Sequence, residues 1–197
     1  MKKIVIASKN LDKVKEMRLA LQTLPVEILS LADFPDMPDA IEDGATFEDN
    51  ALIKARFFSE RTGLACLADD SGLEVDALNG LPGVRSARFA GYHADDGTNN
   101  QKLLDELAKI GVNESAAAYR CALAFVDTDR SELVTQGKIA GTIKTVAKGT
   151  GGFGYDPYFY LDESRTMAQI SVAEKNKISH RGAALRKMIL KLRTKFL

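Results

Sequence analysis

The sequence predicts an α/β fold, in which helices cover a buried β-sheet. Short apolar runs at residues 3–7, 26–30 and 64–68 predict strands. Stretches with helical periodicity separate these runs, and such an alternation of strands and helices is typical of α/β proteins. A chain of 197 residues can bury one core of ordinary size, so we expect residues 1–197 to form a single domain.

The composition excludes several classes of function. The 27 basic residues balance the 27 acidic ones, so the chain lacks the excess positive charge of a nucleic-acid-binding protein. We find no signal peptide and no apolar run of membrane-spanning length, and we expect a cytoplasmic protein without a membrane partner. Cys66 and Cys121 lie in apolar runs without metal-ligand spacing, which predicts two buried free thiols.

The first strand leads through a polar turn into a helix predicted over residues 11–24, with Asn10 as its N-cap. A helix N-terminus favours anions, because its backbone N–H groups point outward. A solvated surface residue is the simpler interpretation of Lys13 alone. Together with Ser8, Lys9 and Asn10, however, Lys13 predicts a phosphate contact.

The second helix follows an acidic loop at residues 31–45. Thr46 and Asp49 have capping-box spacing, which predicts a helix that runs to about residue 61. Glu42 precedes this helix, where a carboxylate is electrostatically favoured in any case. Helix capping is therefore an alternative to a role for Glu42 in a functional site.

Two adjacent carboxylates, Asp69 and Asp70, follow the buried strand at residues 64–68 and precede a turn expected at Gly72. Burying both acids is costly unless they meet a metal, a cation or a hydrogen-bond donor. In open α/β sheets, ligands bind where the strands end. A plain turn that ends the strand explains the same residues, and the motif alone leaves both interpretations open.

Strands, turns and a helix are also predicted for the second half of the chain. Residues 73–78 predict a strand, residues 79–83 a double turn and residues 100–110 a short amphipathic helix. Residues 116–126 and 132–148 predict two further strands, which we expect to be antiparallel neighbours.

A glycine-rich stretch at residues 149–154 matches the G-x-G-x-x-G dinucleotide fingerprint. The fingerprint requires a helix after the glycines, whereas residues 156–160 are predicted to be extended, so a nicotinamide-dependent dehydrogenase is disfavoured. The glycines still allow close approach of the backbone to a ligand, with Phe153 and Tyr155 available to lie against a flat ring.

Ser179 is predicted to cap a C-terminal helix that runs to about residue 194, with His180 and Arg181 in its first turn. Basic side chains are unfavourable there, so an anion or a carbonyl acceptor should compensate them; a solvated basic run is the alternative. Carboxylates surrounded by cations suit a Mg²⁺-bound polyphosphate, and aromatic rings suit a nucleobase. The residues alone therefore predict Mg²⁺-dependent chemistry on a nucleotide phosphate.

Four motifs together resemble the inosine triphosphate pyrophosphatase family, hydrolases of non-standard purine nucleoside triphosphates. The resemblance spans essentially the whole chain. Ser8 stands where many members carry threonine, and Lys9 where the residue is often small. The motifs are Ser8-x-Asn10-x-x-Lys13-x-x-Glu16, Ala68-Asp69-Asp70-Ser71-Gly72, Gly152-Phe153-Gly154-Tyr155-Asp156-Pro157 and Lys175-x-x-x-x-His180-Arg181.

The resemblance implies a long mixed β-sheet flanked by helices, with two lobes and a central nucleotide-binding cleft. It implies Mg²⁺-dependent hydrolysis of ITP, dITP and XTP to the monophosphate and pyrophosphate, which cleanses the nucleotide pool, by a homodimer. Asp70 would be the catalytic acid–base residue and, with Glu42, a ligand of Mg²⁺. The residues implied to bind the substrate are Ser8, Lys9, Asn10, Leu11, Asp12, Lys13, Lys54, Ser71, Phe153, Gly154, Tyr155, Asp156, Lys175, His180 and Arg181.

The sequence leaves open which residue accepts the proton and which residues select the base. A carboxylate bound tightly to Mg²⁺ is a poor base, so Asp69 or another acid is an alternative proton acceptor to Asp70. Selectivity for a 6-keto purine would come from donors on Lys175, His180 or Arg181. Maf-like pyrophosphatases share the fold, but the last two motifs argue against them. A nucleotide sensor without turnover is disfavoured because a pure binder has little need for paired acids.

Overall fold

The computed structural model describes residues 2–196. Short 3-10 segments occupy Leu31–Asp33, Asp76–Leu78, Gly83–Arg88 and Met167–Gln169. The strands and helices are β1 (Lys2–Ile6), α1 (Leu11–Leu21), β2 (Val26–Ser30), α2 (Phe47–Thr62), β3 (Ala65–Val75), α3 (Asp96–Lys109), β4 (Glu114–Val126), β5 (Glu132–Lys144), β6 (Phe159–Tyr160), α4 (Val172–Ile178) and α5 (His180–Phe196).

Within residues 2–196, six strands form one mixed sheet in the order β2-β1-β3-β4-β5-β6. Strand β1 pairs in parallel with β2 and β3, with Ile4 opposite both Ile28 and Ala65. Strand β5 pairs antiparallel with β6, with Thr142 opposite Tyr160. The predicted α/β fold with a mixed sheet is confirmed. Among the described residues, no helix is both long enough and apolar enough to cross a membrane.

The described chain divides into two compact units. The first comprises the residues up to Asp70, Cys121–Gly137 and the residues from His180 onward. The second comprises Ser71–Arg120 and Lys138–Ser179. A single pyrophosphatase domain with a cleft between two lobes stays a prediction.

The first unit has a sheet that is buried on both faces. Successive side chains of a strand point to opposite faces, and Ile4 and Ile6 of β1 belong to a different apolar cluster from Val5 and Ala7. Helices α1 and α5 cover the Ile4 face, and α2 covers the other face. The α2 side is rich in alanine, which lets this helix lie close to the strands. The buried alanines are Ala7, Ala51, Ala55, Ala68, Ala122 and Ala124.

The second unit has its own core, in which α3 packs with the second half of β3 and the first half of β4. Leu103 and Leu107 of α3 share one apolar cluster with Leu73 and Val75 of β3. Tyr119 of β4 belongs to the same cluster and is buried.

Local capping explains where the helices begin and end. The side chain of Asn10 caps α1 as predicted, and Thr46 and Asp49 form the predicted capping box of α2. Helix α1 ends at Leu21 rather than at residue 24, because Pro25 disfavours the helical conformation of the residue before it. Helix α3 begins at Asp96 and not at residue 100, because Asp95 provides its cap.

The prediction of a turn at Gly72 is wrong. Strand β3 continues without interruption from Ala65 to Val75, so Asp69, Asp70 and Ser71 lie inside a strand. Sheet pairing overrides the local preference of Asp, Ser and Gly for turns. This continuity also excludes the interpretation of the two acids as a strand-ending turn.

Three smaller boundaries differ from the prediction. Residues 76–78 form a 3-10 turn rather than the end of a strand, and β5 ends at Lys144 rather than at residue 148. Of the residues 156–160 predicted to be extended, residues 156–158 form turns, and Phe159 and Tyr160 lie in a strand. The predicted free thiols Cys66 and Cys121 are confirmed, and both are buried.

Candidate active site

The loop after β1 presents the N-terminus of α1. The Asn10 carboxamide oxygen accepts hydrogen bonds from the backbone N–H groups of Asp12 and Lys13, each at 3.0 Å. Ser8 Oγ accepts from the Asn10 N–H at 3.2 Å, which fixes the loop before the helix. Lys9 forms an exposed ion pair with Asp39 at 2.7 Å. The predicted anion-binding turn therefore has a defined conformation.

Asp69 belongs to a buried charge network with Lys13, Arg181 and Glu16. Its Oδ2 atom accepts from Arg181 Nε at 3.2 Å and Nη2 at 3.1 Å, and Lys13 Nζ lies at 3.1 Å. Arg181 Nη1 donates to Glu16 Oε2 at 2.6 Å. Two cations and two carboxylates thus neutralise one another. Burial acts to raise the pKa of Asp69, but the charges of Lys13 and Arg181 outweigh it and hold that pKa well below its usual range.

Asp70 has a different environment from its neighbour. Its Oδ2 accepts from Asn50 Nδ2 at 3.2 Å, and its Oδ1 lies 3.3 Å from Lys54 Nζ. Burial raises the pKa of Asp70, and although Lys54 and Lys13 oppose this shift, the pKa stays above its ordinary value. Of the two acids, Asp70 is therefore the one whose surroundings favour acceptance of a proton.

Glu42 and Asp70 form a carboxylate pair that shares one cation. Lys54 Nζ contacts Glu42 Oε2 at 2.9 Å and Asp70 Oδ1 at 3.3 Å. Burial acts to lower the pKa of Lys54, but the two carboxylates raise it, so the ammonium group stays charged. The loop before α2 thus brings Glu42 towards the acid on β3.

The carboxylate pair fits Mg²⁺ by the chemistry of its donors. Mg²⁺ prefers hard oxygen ligands and commonly takes one or two carboxylates from a protein, with water and substrate phosphates completing its shell. The two carboxylates already converge on a positive charge, that of Lys54. No group of three or more His, Cys, Asp or Glu residues within residues 2–196 has the arrangement of a metal site.

In the second unit, the glycine-rich loop surrounds a buried carboxylate. Asp156 Oδ2 accepts from the Phe153 N–H at 3.0 Å and from Lys175 Nζ at 2.6 Å, and Oδ1 accepts from the Tyr119 hydroxyl at 3.1 Å. Gly152 adopts a positive φ of 72°, and a side chain there would collide with Asp156. Lys175 Nζ also lies 4.3 Å from the centroid of the Phe153 ring. The loop therefore fixes an aromatic ring beside a buried ammonium group.

Tyr155 and Gly154 are held by the second unit itself. The Tyr155 ring lies in the core, and its hydroxyl donates to the Ser86 carbonyl at 2.7 Å. The Gly154 N–H donates to Asp96 Oδ2 at 2.6 Å, and its carbonyl accepts from Asn100 Nδ2 at 2.9 Å. Of the two aromatic residues expected to face a flat ring, Phe153 is the more accessible.

The other predicted site residues fall into the same two groups. Leu11 and Asp12 are exposed on the first turn of α1, and His180 is buried at the start of α5. Ser71 is partly buried in β3. The first unit thus brings together Lys13, Glu42, Lys54 and Asp70, and the second unit brings together Phe153, Gly154, Asp156 and Lys175. Their contacts with a nucleotide stay predictions.

Three residues of the site are not predicted by the sequence. Asn50 bonds to Asp70, Glu16 to Arg181, and Tyr119 to Asp156. Asn50 lies four residues before Lys54, which places both on one helical face and was a usable signal. Glu16 lies in the first motif, but the motif does not indicate its function. Nothing in the apolar run around Tyr119 indicates the partner of its hydroxyl.

The model of the Ham1 family matches residues 4–191. The chain belongs to the Ham1 family. It is 48% identical over 186 residues to the dITP/XTP pyrophosphatase of Geobacter sulfurreducens, and the match covers 94% of each chain. It is 46% identical to the dITP/XTP pyrophosphatase of Bacillus anthracis over 200 residues, which cover 100% of this chain and 99% of that protein. The predicted family relationship is confirmed.

Solved structures of Ham1 proteins share the fold. The HAM1 protein from Coxiella burnetii superposes with a TM-score of 0.87 at 41% identity, covering 98% of this chain and 100% of that one. The nucleoside-triphosphatase, or dITP/XTP pyrophosphatase, from Mycobacterium abscessus superposes with a TM-score of 0.73 at 46% identity, covering 94% and 98%.

Proposed function

We propose that this Ham1 protein hydrolyses dITP, ITP and XTP to the nucleoside monophosphate and pyrophosphate, and so removes non-standard purines from the nucleotide pool. Relatives named dITP/XTP pyrophosphatase, matched over almost their full length, support this substrate class. The observation that carries the proposal is the contrast between two adjacent buried acids. Asp69 is held ionised by two cations, whereas the surroundings of Asp70 favour acceptance of a proton.

The triphosphate would bind at the N-terminus of α1. The dipole of this helix favours an anion at its N-terminus, where the N–H groups of Asp12 and Lys13 donate to Asn10 Oδ1 in the absence of substrate. Lys13 lies in the same turn, and its ammonium group can neutralise phosphate charge. In the absence of substrate, Asp69 balances the charge of Lys13. The side chains of Ser8, Lys9 and Asn10 flank this turn and would add donors.

Asp70 would take a proton from the attacking water at one of its carboxylate oxygens as the water oxygen bonds to phosphorus. The bond to the bridging oxygen between the α- and β-phosphates then breaks, and pyrophosphate leaves. Mg²⁺, held by Glu42 and Asp70, would supply Lewis-acid stabilisation of charge on the phosphate oxygens. Lys54 lies between these two carboxylates and would also contact a phosphate. Asp69 is a poor alternative base, because Lys13 and Arg181 stabilise its ionised form.

The purine would lie against Phe153 in the second unit. The ring is fixed beside Lys175, whose ammonium group is a donor suited to the O6 atom of a 6-keto purine. An amino group at that position would leave the donor unpaired, at a cost of about 1–3 kcal/mol. Both basic groups are ion-paired, Lys175 with Asp156 and Arg181 with Asp69 and Glu16. Only the ammonium group of Lys175 lies beside the Phe153 ring, so we assign base selectivity to Lys175 first.

We extend the proposal to assembly and location. By resemblance to its family, the enzyme would act as a homodimer, and its substrates are intracellular nucleotides, so it would act in the cytoplasm. Light scattering of the purified protein at several concentrations tests the dimer. A stable mass of one chain would contradict it.

A substrate panel tests the proposed function. ITP, dITP, XTP, GTP, ATP and a modified pyrimidine triphosphate are incubated with Mg²⁺, and pyrophosphate is resolved from orthophosphate. We expect pyrophosphate from the first three and little from GTP or ATP. Turnover confined to the pyrimidine would indicate a Maf-like activity. Tight binding of dITP without product would indicate a nucleotide sensor.

A further inference from the structure

Asn50 is a fully buried polar residue beside the carboxylate pair. It lies in the N-terminal part of α2, four residues before Lys54, and its relative exposure is 0%. A carboxamide without access to water must find its hydrogen-bond partners within the protein, because a buried polar group without hydrogen bonds costs free energy. The partners of Asn50 therefore reveal what its side chain does.

The two ends of the Asn50 amide contact two different parts of the candidate metal site. Nδ2 donates to Asp70 Oδ2 at 3.2 Å, and Oδ1 accepts from the backbone N–H of Gly44 at 2.8 Å. Gly44 follows Glu42 by two residues. One side chain thus connects the loop that carries the first carboxylate with the strand that carries the second.

Gly44 approaches α2 too closely to carry a side chain. A Cβ atom at this position would lie 2.7 Å from Asn50 Oδ1 and 2.6 Å from Asp49 Cβ, closer than real Cβ atoms come. Asn50 is buried and cannot turn away into solvent, and Asp49 is held in the capping box with Thr46. The loop that bears Glu42 is therefore seated on the first turn of α2.

We infer that Asn50 is a positioning residue that keeps Glu42 and Asp70 directed at one cation. The inference rests on the proposed function only in taking these two carboxylates as the metal ligands. Lys54, one turn later on the same helix, contacts the other oxygen of Asp70, so one face of α2 orients both oxygens. Partners that orient metal ligands typically account for about 10- to 100-fold in metal affinity or activity.

Binding of Mn²⁺ to the nucleotide-free protein, followed by the electron paramagnetic resonance of free Mn²⁺, tests this role. Asn50→Leu removes both hydrogen bonds at similar volume, and we expect it to raise the Kd for Mn²⁺ by about 10-fold or more. Gly44→Ala displaces the loop that bears Glu42, while the side chains of Glu42 and Asp70 are both retained. We expect it to raise the Kd in the same direction.

Asn99→Leu is the matched control. Asn99 is also nearly fully buried on a helix, and its amide also makes two hydrogen bonds, to the Ala90 N–H at 2.9 Å and the Ala87 carbonyl at 3.2 Å. These partners belong to the second unit and carry no carboxylate. We expect Asn99→Leu to lower the Tm while leaving the Kd for Mn²⁺ within about twofold of the wild type.

The double variant Asn50→Leu/Gly44→Ala should bind Mn²⁺ at least as weakly as Asn50→Leu, because the collision of the added Cβ with Asp49 Cβ persists without the amide. Wild-type affinity in both single variants would overturn the inference. So would an absence of Mn²⁺ binding by the wild type, or binding that survives Glu42→Gln/Asp70→Asn. If Asn50→Leu does not fold, Gly44→Ala decides alone. The titration contains no nucleotide, so a failed substrate panel leaves its result intact.

Discussion

Replacing Arg181 by methionine should destabilise the protein strongly, because it leaves two buried carboxylates with one cation. Arg181 is 1% exposed and contacts Asp69 and Glu16, which are 1% and 3% exposed. Removing one partner of a buried ion pair typically costs about 3–5 kcal/mol, since the remaining charge stays desolvated. For a chain of this length, that loss corresponds to a fall in Tm of roughly 6–20 °C. Urea denaturation at pH 7 measures the loss.

The sign of the pH dependence follows from the folded-state pKa of Asp69. This pKa is lowered below its ordinary value, so in the wild type the interactions of Asp69 stabilise the protein above that value and are lost as the pH falls through the folded pKa. Without Arg181, the buried carboxylate of Asp69 loses one of the charges that lower its pKa, so the folded variant takes up a proton at a higher pH than the wild type does. The difference in stability should therefore shrink from pH 7 to about pH 4.5.

Arg56→Met is the matched control for this prediction. Arg56 also binds a carboxylate through two nitrogens, at 2.6 and 2.8 Å to Glu132, but the side chains are 55% and 33% exposed. An exposed ion pair contributes about 0–1 kcal/mol, so this variant should lose little stability. A loss below about 1 kcal/mol in Arg181→Met, or an equal loss in both variants, would refute the reasoning.

Two further predictions concern base selectivity and the thiols. Lys175→Met should reduce the preference for dITP over dATP, measured as the ratio of kcat/KM values, by about 10-fold, because the donor for O6 is lost; an unchanged ratio would contradict the assignment. Cys66 and Cys121 should resist iodoacetamide at pH 8 in the folded protein and react in urea, because burial raises the pKa of their thiols to about 11 and about 12. Rapid alkylation of the folded protein, followed by mass spectrometry, would contradict this burial.

Features that depend on neighbouring residues could be predicted from the sequence. The caps at Asn10 and Thr46 involve residues two or three positions away, and both are present. The alternation of strands and helices likewise predicted the α/β fold. The four motifs led to the correct family because each is a short run of residues.

Features that depend on distant residues could not be predicted. Arg181 binds Asp69 across 112 positions, and Tyr119 binds Asp156 across 37, and no local pattern indicates either pair. The turn propensity of Asp-Ser-Gly likewise gave no sign that sheet pairing would extend β3 through Asp70. The charges of Lys13 and Arg181 decide which of the two adjacent buried acids is held as an ion, and their approach to Asp69 is a property of the folded chain.

Hydrolysis of dITP by the wild type and by Asp70→Asn, each at saturating Mg²⁺ so that weaker metal binding does not limit the rate, tests the proposal that Asp70 accepts the proton. Asparagine keeps the shape of the side chain but cannot act as a base, so we expect kcat to fall by about 10²- to 10⁴-fold. Circular dichroism and Tm confirm that the variant is folded. The wild type should release pyrophosphate and dIMP in equal amounts. If folded Asp70→Asn kept its kcat within about tenfold of the wild type, the proton would be accepted elsewhere and the assignment of Asp70 would be wrong.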